Sequence, residues 1–273
     1  MKTFEGILIC TDLDGTLLRN DKSISRENSE AIEHFKANGG RFTFVTGRMP
    51  YFSQKAREMI KPNAPIGCIN GGGVYDYDKE EYVFAEVMSR EALDLVEYAE
   101  KMIDDIGISV YTFEKIYFSA ENSAMKDFRA VTGVKNEVMH YRDINVPLAK
   151  IVFGDKNPEN KAKLERLLSS HPLAEKFELI SSERTLFEIL PKGVNKGSVL
   201  PKLCDNLGID LRKTIAVGDY DNDIPMIRAA GLGVAVSNAC DGAKSVADLI
   251  TVSNEEHAIA KIICDLESGK IRL

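Results

Sequence analysis

A short apolar run near the start of the chain stops abruptly on acid. Ile7-Leu8-Ile9-Cys10-Thr11 leads directly into Asp12-Leu13-Asp14-Gly15-Thr16. An apolar run without polar alternation predicts a strand buried on both faces, as in a parallel sheet covered by helices. Strand and helix then alternate along the chain. Ser25 is placed to cap a helix over Arg26 to Ala37, and Asn38-Gly39-Gly40 to stop it. Arg41 to Thr46 and Pro65 to Asn70 predict two more strands, with a helix over Pro50 to Ile60 between them. The far end repeats the pattern. A strand at Lys213 to Val217 precedes a helix from Asp223 to Ala230, strands at Gly233 to Val236 and Asp248 to Val252, and a helix over Glu255 to Glu267. Alternating strands and helices imply an α/β fold around a parallel sheet.

The middle breaks the alternation. A helix near Arg90 to Ile106 is followed by strands at Ile108 to Phe113, Lys115 to Phe118 and Ala149 to Phe153. Then come a helix at Pro158 to Leu168 and two close strands, Phe177 to Ile180 and Thr185 to Ile189. Helices among mostly antiparallel strands predict an α+β insert, bounded by Asn70-Gly71-Gly72-Gly73 and Pro191-Lys192-Gly193. The expected division is a core of residues 1–73 and 194–273 with a second domain, 74–193, inserted into it. A length of 273 residues suits two modest domains, and a 44% hydrophobic fraction excludes wholesale disorder.

The acids after the first strand carry the chemistry. At the end of a parallel strand, residues two apart share a face, so Asp12 and Asp14 both point into the crevice where such sheets bind ligands. Two neighbouring carboxylates repel unless a cation or proton lies between them, and magnesium offers the hard charge that oxygen ligands suit. An Asp-rich turn is the plain alternative. A second acidic cluster, Gly218-Asp219-Tyr220-Asp221-Asn222-Asp223, comes after the Lys213 to Val217 strand. It starts like a calcium loop, but Ile224 stands where that loop needs Gly and Ala230 where it needs Glu. Asp219 is then a candidate metal ligand beside Asp12, with Asp223 a further ligand or a supporting group. A solvated helix cap is the alternative.

Two weaker signals accompany the acids. Thr46-Gly47-Arg48 ends the second strand and opens a helix, so its hydroxyl and N–H groups could cradle phosphate or simply cap that helix. Lys196 sits beside Gly197 at a predicted helix start; alone it reads equally as a solvated lysine. Gly193-Val194-Asn195-Lys196-Gly197-Ser198 lacks the ending of a nucleotide-binding P-loop, and Gly231-Leu232-Gly233 lacks the third glycine of a dinucleotide fingerprint. The charge balance, 35 Lys+Arg against 42 Asp+Glu for a net −7, argues against a general nucleic-acid binder.

Taken together and in order, these elements resemble the haloacid dehalogenase (HAD) superfamily, in its Cof-type branch of sugar-phosphate phosphatases. The residues that carry the resemblance are Asp12-Leu13-Asp14-Gly15-Thr16, Thr46-Gly47-Arg48, Asn70-Gly71, Lys196-Gly197, Gly218-Asp219 with Asn222-Asp223, Ser237-Asn238-Ala239 and Ser253-Asn254. His257-Ala258 departs from the pattern, where relatives tend to carry an acid and Gly.

The resemblance implies a Rossmann-like parallel-sheet core with an inserted α+β cap of the C2 type. It also implies a magnesium-dependent phosphatase acting on small phosphorylated metabolites. In that scheme Asp12 is the nucleophile and Asp14 the general acid and base. Mg2+ is held by Asp12, the Asp14 carbonyl and Asp219, with Asp223 near them. Thr46, Gly47, Lys196 and Asn222 hold the phosphate oxygens, with Arg48 a further phosphate contact. A phosphomutase on the same scaffold and a non-catalytic phosphometabolite binder are the competing readings. Arg129, Lys135 and Arg142 in the insert are candidate substrate contacts and equally ordinary surface residues. Five scattered cysteines without a CxxC pair, and the lack of a signal-peptide or membrane-spanning pattern, lead to the expectation of a cytoplasmic protein. No membrane or nucleic-acid partner is expected, and oligomeric state is not legible.

Overall fold

The computed structural model describes residues 3–273. In chain order the first part contains β1 (Leu8–Thr11), α1 (Arg26–Ala37), β2 (Arg41–Phe44), α2 (Gln54–Ile60), β3 (Ile66–Cys68), β4 (Gly73–Asp76) and β5 (Glu81–Ala85). The middle contains α3 (Ala92–Met102), β6 (Gly107–Thr112), β7 (Ile116–Ala120), α4 (Ser123–Thr132), β8 (Glu137–Val138), β9 (Leu148–Gly154), α5 (Pro158–Ser169), β10 (Phe177–Glu183) and β11 (Leu186–Pro191). The last part contains α6 (Val199–Leu207), β12 (Thr214–Gly218), α7 (Ile224–Ala229), β13 (Leu232–Ala235), α8 (Asp241–Val246), β14 (Leu249–Ile250) and α9 (Ala258–Glu267). The chain packs as two compact units, residues 1–84 with 195–273, and residues 85–194.

In the first unit a five-stranded sheet runs in the order β14-β13-β12-β1-β2, with every neighbouring pair parallel. All residues of β1 and β12 are buried, as a parallel sheet covered on both faces requires. On one face Leu8, Cys10 and Ala216 pack with Val199, Leu200 and Leu203 of α6. Helices α1 and α9 pack on each other, and the buried Asn28 side chain of α1 accepts from the Ala260 N–H at 2.9 Å. Because β1 and β12 are adjacent and parallel, their carboxyl ends lie side by side. The two acidic loops therefore start from the same edge of the sheet.

The second unit has a six-stranded sheet in the order β10-β11-β9-β6-β7-β8, antiparallel except for the β7–β8 pair. Leu93, Val96 and Ala99 of α3, and Leu164 and Leu168 of α5, pack with Ile108, Val110, Ile151, Phe153 and Ile189 of the sheet. The α/β class with a parallel core and an α+β insert is thus borne out.

Several boundaries move for local reasons. Helix α9 begins at Ala258 instead of Glu255, because a capping box between Ser253 and Glu256 makes 254–256 a single 3-10 turn. His257 then takes a left-handed conformation, φ 63°, at the helix entrance. Strand β3 stops at Cys68, since Ile69 and Asn70 also turn left-handed. The unanticipated α4 carries ordinary stop and start signals, an Asn122 side chain accepting from Ala124 and Met125 N–H groups and Gly133 at its end.

Candidate active site

The end of β1 places Asp12 where the parallel ladder finishes, its N–H still donating to the Val217 carbonyl of β12 at 2.9 Å. Lys196 reaches the same point from another direction. The Asn195 side chain accepts from the N–H groups of Gly197 and Ser198, a capping box that fixes the turn carrying Lys196. Gly197 allows that turn to lie on α7: a Cβ there would stand 2.3 Å from the Pro225 carbonyl oxygen. The Lys196 side chain is 2% exposed, and its Nζ donates to Asp12 Oδ1 at 2.6 Å and Asp223 Oδ1 at 2.5 Å. The second Asp223 oxygen accepts from the Asp219 and Tyr220 N–H groups at 2.9 and 3.1 Å. Asp223 thus closes its own loop while anchoring the lysine.

Asp12, Asp219 and Asp223 each offer an oxygen within 4.8 Å of the others. Three carboxylates against one ammonium leave two negative charges when all are ionised. Burial first, and that excess second, raise the proton affinity of the acids. Burial, reinforced by Asp223 and Asp219, pushes Asp12 well above the ordinary carboxylate range despite Lys196 beside it. Burial and Asp223 push Asp219 up to about 6, although a hydrogen bond from Thr16 opposes the rise. For Lys196, burial alone would lower the pKa; Asp12 and Asp223 reverse that and hold it firmly protonated. The donor set fits a hard divalent cation. Its oxygens are hard ligands that carry two excess charges, the chemistry that a divalent ion such as Mg2+ would neutralise.

Asp14 lies apart from these three. Arg48 donates to its Oδ2 at 2.5 Å and Lys22 to its Oδ1 at 2.8 Å. Its partial burial would raise its pKa, but these two cations outweigh that and hold it below the ordinary value. Arg48, expected on the phosphate, therefore has its guanidinium on Asp14. The carboxylate of Asp14 is not in the three-oxygen set among the described residues.

The remaining expected residues form a line. Thr46 is buried, and its Oγ accepts from the Arg48 N–H at 3.2 Å while keeping its own proton to donate. Gly47 lies on the Asn70 carboxamide, which a Cβ would approach to 3.0 Å. Asn222 donates to Asn70 Oδ1 at 3.2 Å, linking the β2 end to the β12 end through a fully buried side chain. In the second unit, Arg129 is paired with Glu121, and Arg142 donates to Asp94 and Glu97 at 2.7 Å each.

Residues that sequence reasoning left without a role also belong here. The buried Thr16 hydroxyl donates to Asp219 Oδ1 at 2.6 Å. Asn70 carries the Gly47–Asn222 link, and Lys22 shares Asp14 with Arg48. Thr16 comes so soon after the acidic pair that its position was a signal; nothing in the sequence marks Lys22.

The sequence matches the haloacid dehalogenase-like hydrolases over residues 9–263. The chain belongs to that family. The hydrolase is 28% identical to phosphatase YwpJ of Bacillus subtilis over 281 residues, covering 94% of this chain and 98% of that one. It is 30% identical over 260 residues to the B. subtilis 5-amino-6-(5-phospho-D-ribitylamino)uracil phosphatase YcsE, covering 94% of each. A haloacid dehalogenase-like hydrolase from Bacteroides thetaiotaomicron superposes with a TM-score of 0.82 at 27% identity, covering 95% of this hydrolase and 99% of that one. The resemblance read from the acidic loops is borne out. Among the described residues, no helix of the hydrolase is long and apolar enough to cross a membrane.

Proposed function

We propose that this hydrolase, a HAD-type phosphatase, cleaves phosphate monoesters of small metabolites, sugar phosphates foremost, through an aspartyl-phosphate and with Mg2+. The observation that carries the reading is the arrangement around Lys196: one buried ammonium joining Asp12 and Asp223 next to Asp219, with two negative charges left over. Asp12, Asp219 and the Asp14 carbonyl would hold the metal, with Asp223 positioning the set. A bound divalent ion would neutralise the repulsion between the carboxylates and an incoming phosphate.

The chain's own groups take the remaining roles. An Asp12 oxygen attacks phosphorus, and the bond from phosphorus to the ester oxygen breaks. Asp14 gives its proton to the departing alcohol, then takes one from the water that cleaves the aspartyl-phosphate and releases inorganic phosphate. Donation requires Asp14 to be protonated, and hence to part from Arg48 and Lys22. Lys196, the Thr46 hydroxyl, the Gly47 N–H and Asn222 hold the non-bridging oxygens, the positioning on which phosphoryl transfer chiefly depends. The inserted domain is assigned the cap role, and the working compartment is taken as the cytoplasm.

The test is a screen of phosphorylated metabolites for phosphate release with Mg2+, repeated with EDTA and with Asp12→Asn. Turnover should stop with chelator, return with magnesium, and fall by roughly 10³-fold or more in the variant. Metal-independent turnover, or an active Asp12→Asn protein, overturns the reading.

A further inference from the structure

Two asparagines far downstream hold the acidic loop from outside. Asn238 Nδ2 donates to the Gly15 carbonyl at 2.8 Å, across 223 residues of sequence. Asn254, 4% exposed, donates from Nδ2 to the Leu18 carbonyl at 3.0 Å, across 236 residues. The two are themselves joined. The Asn254 N–H donates to Asn238 Oδ1 at 3.0 Å, which orients that carboxamide with its NH2 end toward Gly15.

What these contacts hold is the distance between the two acidic loops. Gly15, with φ 82°, lies so close to Asp219 that a Cβ would stand 2.6 Å from its Oδ2. Next to it the Thr16 hydroxyl donates to Asp219 Oδ1 at 2.6 Å. The loop is closed at its base by the Leu18 N–H donating to the Leu13 carbonyl at 2.8 Å. Displacing the Gly15 carbonyl therefore moves the Asp12–Asp14 segment relative to Asp219. Asn238 is exposed. A hydrogen bond there adds little to folding stability, because water can replace either partner. Its geometric effect on the loop is the larger consequence.

The geometry points to Asn238 and Asn254 as a pair of positioning residues that set the Asp12–Asp14 loop at its working distance from Asp219. The inference rests on the phosphatase reading, in which Asp12 and Asp219 act on one metal and one phosphate.

Asn238→Ala is the primary variant, since it changes an exposed side chain without altering charge; Asn254→Ser tests the buried partner. Three quantities are read on the full chain: hydrogen exchange over residues 13–19, Mg2+ affinity of the substrate-free protein by calorimetry, and kcat with KM. Asn238→Ala should speed exchange in that segment and lower both metal affinity and kcat by roughly tenfold, as loss of outer support for ligands does. KM should stay within about twofold, because the phosphate-holding groups Lys196 and Thr46 are untouched. Asn254→Ser should act in the same direction, and the double variant should fall short of additivity, since one hydrogen bond links the pair. Unchanged exchange, metal affinity and kcat in Asn238→Ala overturn the inference. A wild-type protein without phosphatase turnover counts against the proposed function instead, and the exchange measurement then decides the clamp by itself.

Discussion

Two lysines are buried among the described residues, one in each unit, and their surroundings differ in charge balance. Lys150 on β9 faces Glu188 on β11 at 2.7 Å, with both side chains 3% exposed and the Tyr111 ring 4.6 Å from the Lys150 Nζ. There the ammonium and a buried carboxylate meet as a direct ion pair. Lys196 is as deeply buried, but two carboxylates bind it and a third, Asp219, offers an oxygen within 4.8 Å of theirs. A balanced pair meets its own desolvation cost approximately and asks for no ligand. An unbalanced cluster pushes its own acids toward protonation and draws in a cation. Burial alone would rank the two lysines equal; their acidic neighbours separate a lysine paired within a sheet from one to which the proposed function gives a chemical role.

Lys196→Met should break the comparison most visibly. Turnover should fall by roughly 10²–10³-fold, the usual cost of removing a group that stabilises transferring charge. Binding of vanadate, measured by inhibition, should weaken in parallel. Unchanged inhibition would place Lys196 with Lys150 as a structural residue.

The excess charge also predicts a pH dependence. Asp219 has a folded pKa of about 6, above the ordinary carboxylate value of 3.8. The folded metal-free protein therefore binds more protons than the unfolded chain across that interval, and this group's contribution to stability falls as pH rises through it. Magnesium competes with the same protons. The rise in melting temperature on adding Mg2+ should be small near pH 5 and grow as pH passes about 6. Melts with and without Mg2+ at pH 5, 6 and 7.5 check this; an equal shift at all three would mean that the carboxylates are not the binding group.

Much of this site was legible because it depends on chain order. A buried strand ending in Asp12, and a second one ending in Gly218-Asp219, must bring their acids to one edge if the sheet is parallel and the strands adjacent. Lys196 was legible only through family resemblance. A lysine beside glycine gives no sign that its ammonium is buried, because the Asn195 capping box and the approach of Gly197 to Pro225 that bury it are tertiary facts. For Arg48 the phosphate contact stays a proposal. Its place after Thr46-Gly47 suggests phosphate, and its side chain also reaches Asp14, a partner that spacing does not reveal. In the insert, the pairing of Lys150 with Glu188 depends on strand order and register, with Glu188 opposite Val152 on neighbouring strands. No local pattern encodes that.

The smallest expected effect sharpens the other side of the comparison. If Lys150 and Glu188 are a self-balanced pair, removing one partner should cost more than removing both. Lys150→Met leaves a buried carboxylate and should destabilise the fold by about 3–5 kcal/mol. Lys150→Met with Glu188→Leu replaces the pair by apolar groups of similar size and should recover most of that loss. Urea titration of the wild type, both single variants and the double variant measures it, provided the m-values agree. A double variant as unstable as the sum of the singles would show that each charge is held by its own surroundings instead of by the other. In that case balance within the pair would not be what distinguishes Lys150 from Lys196.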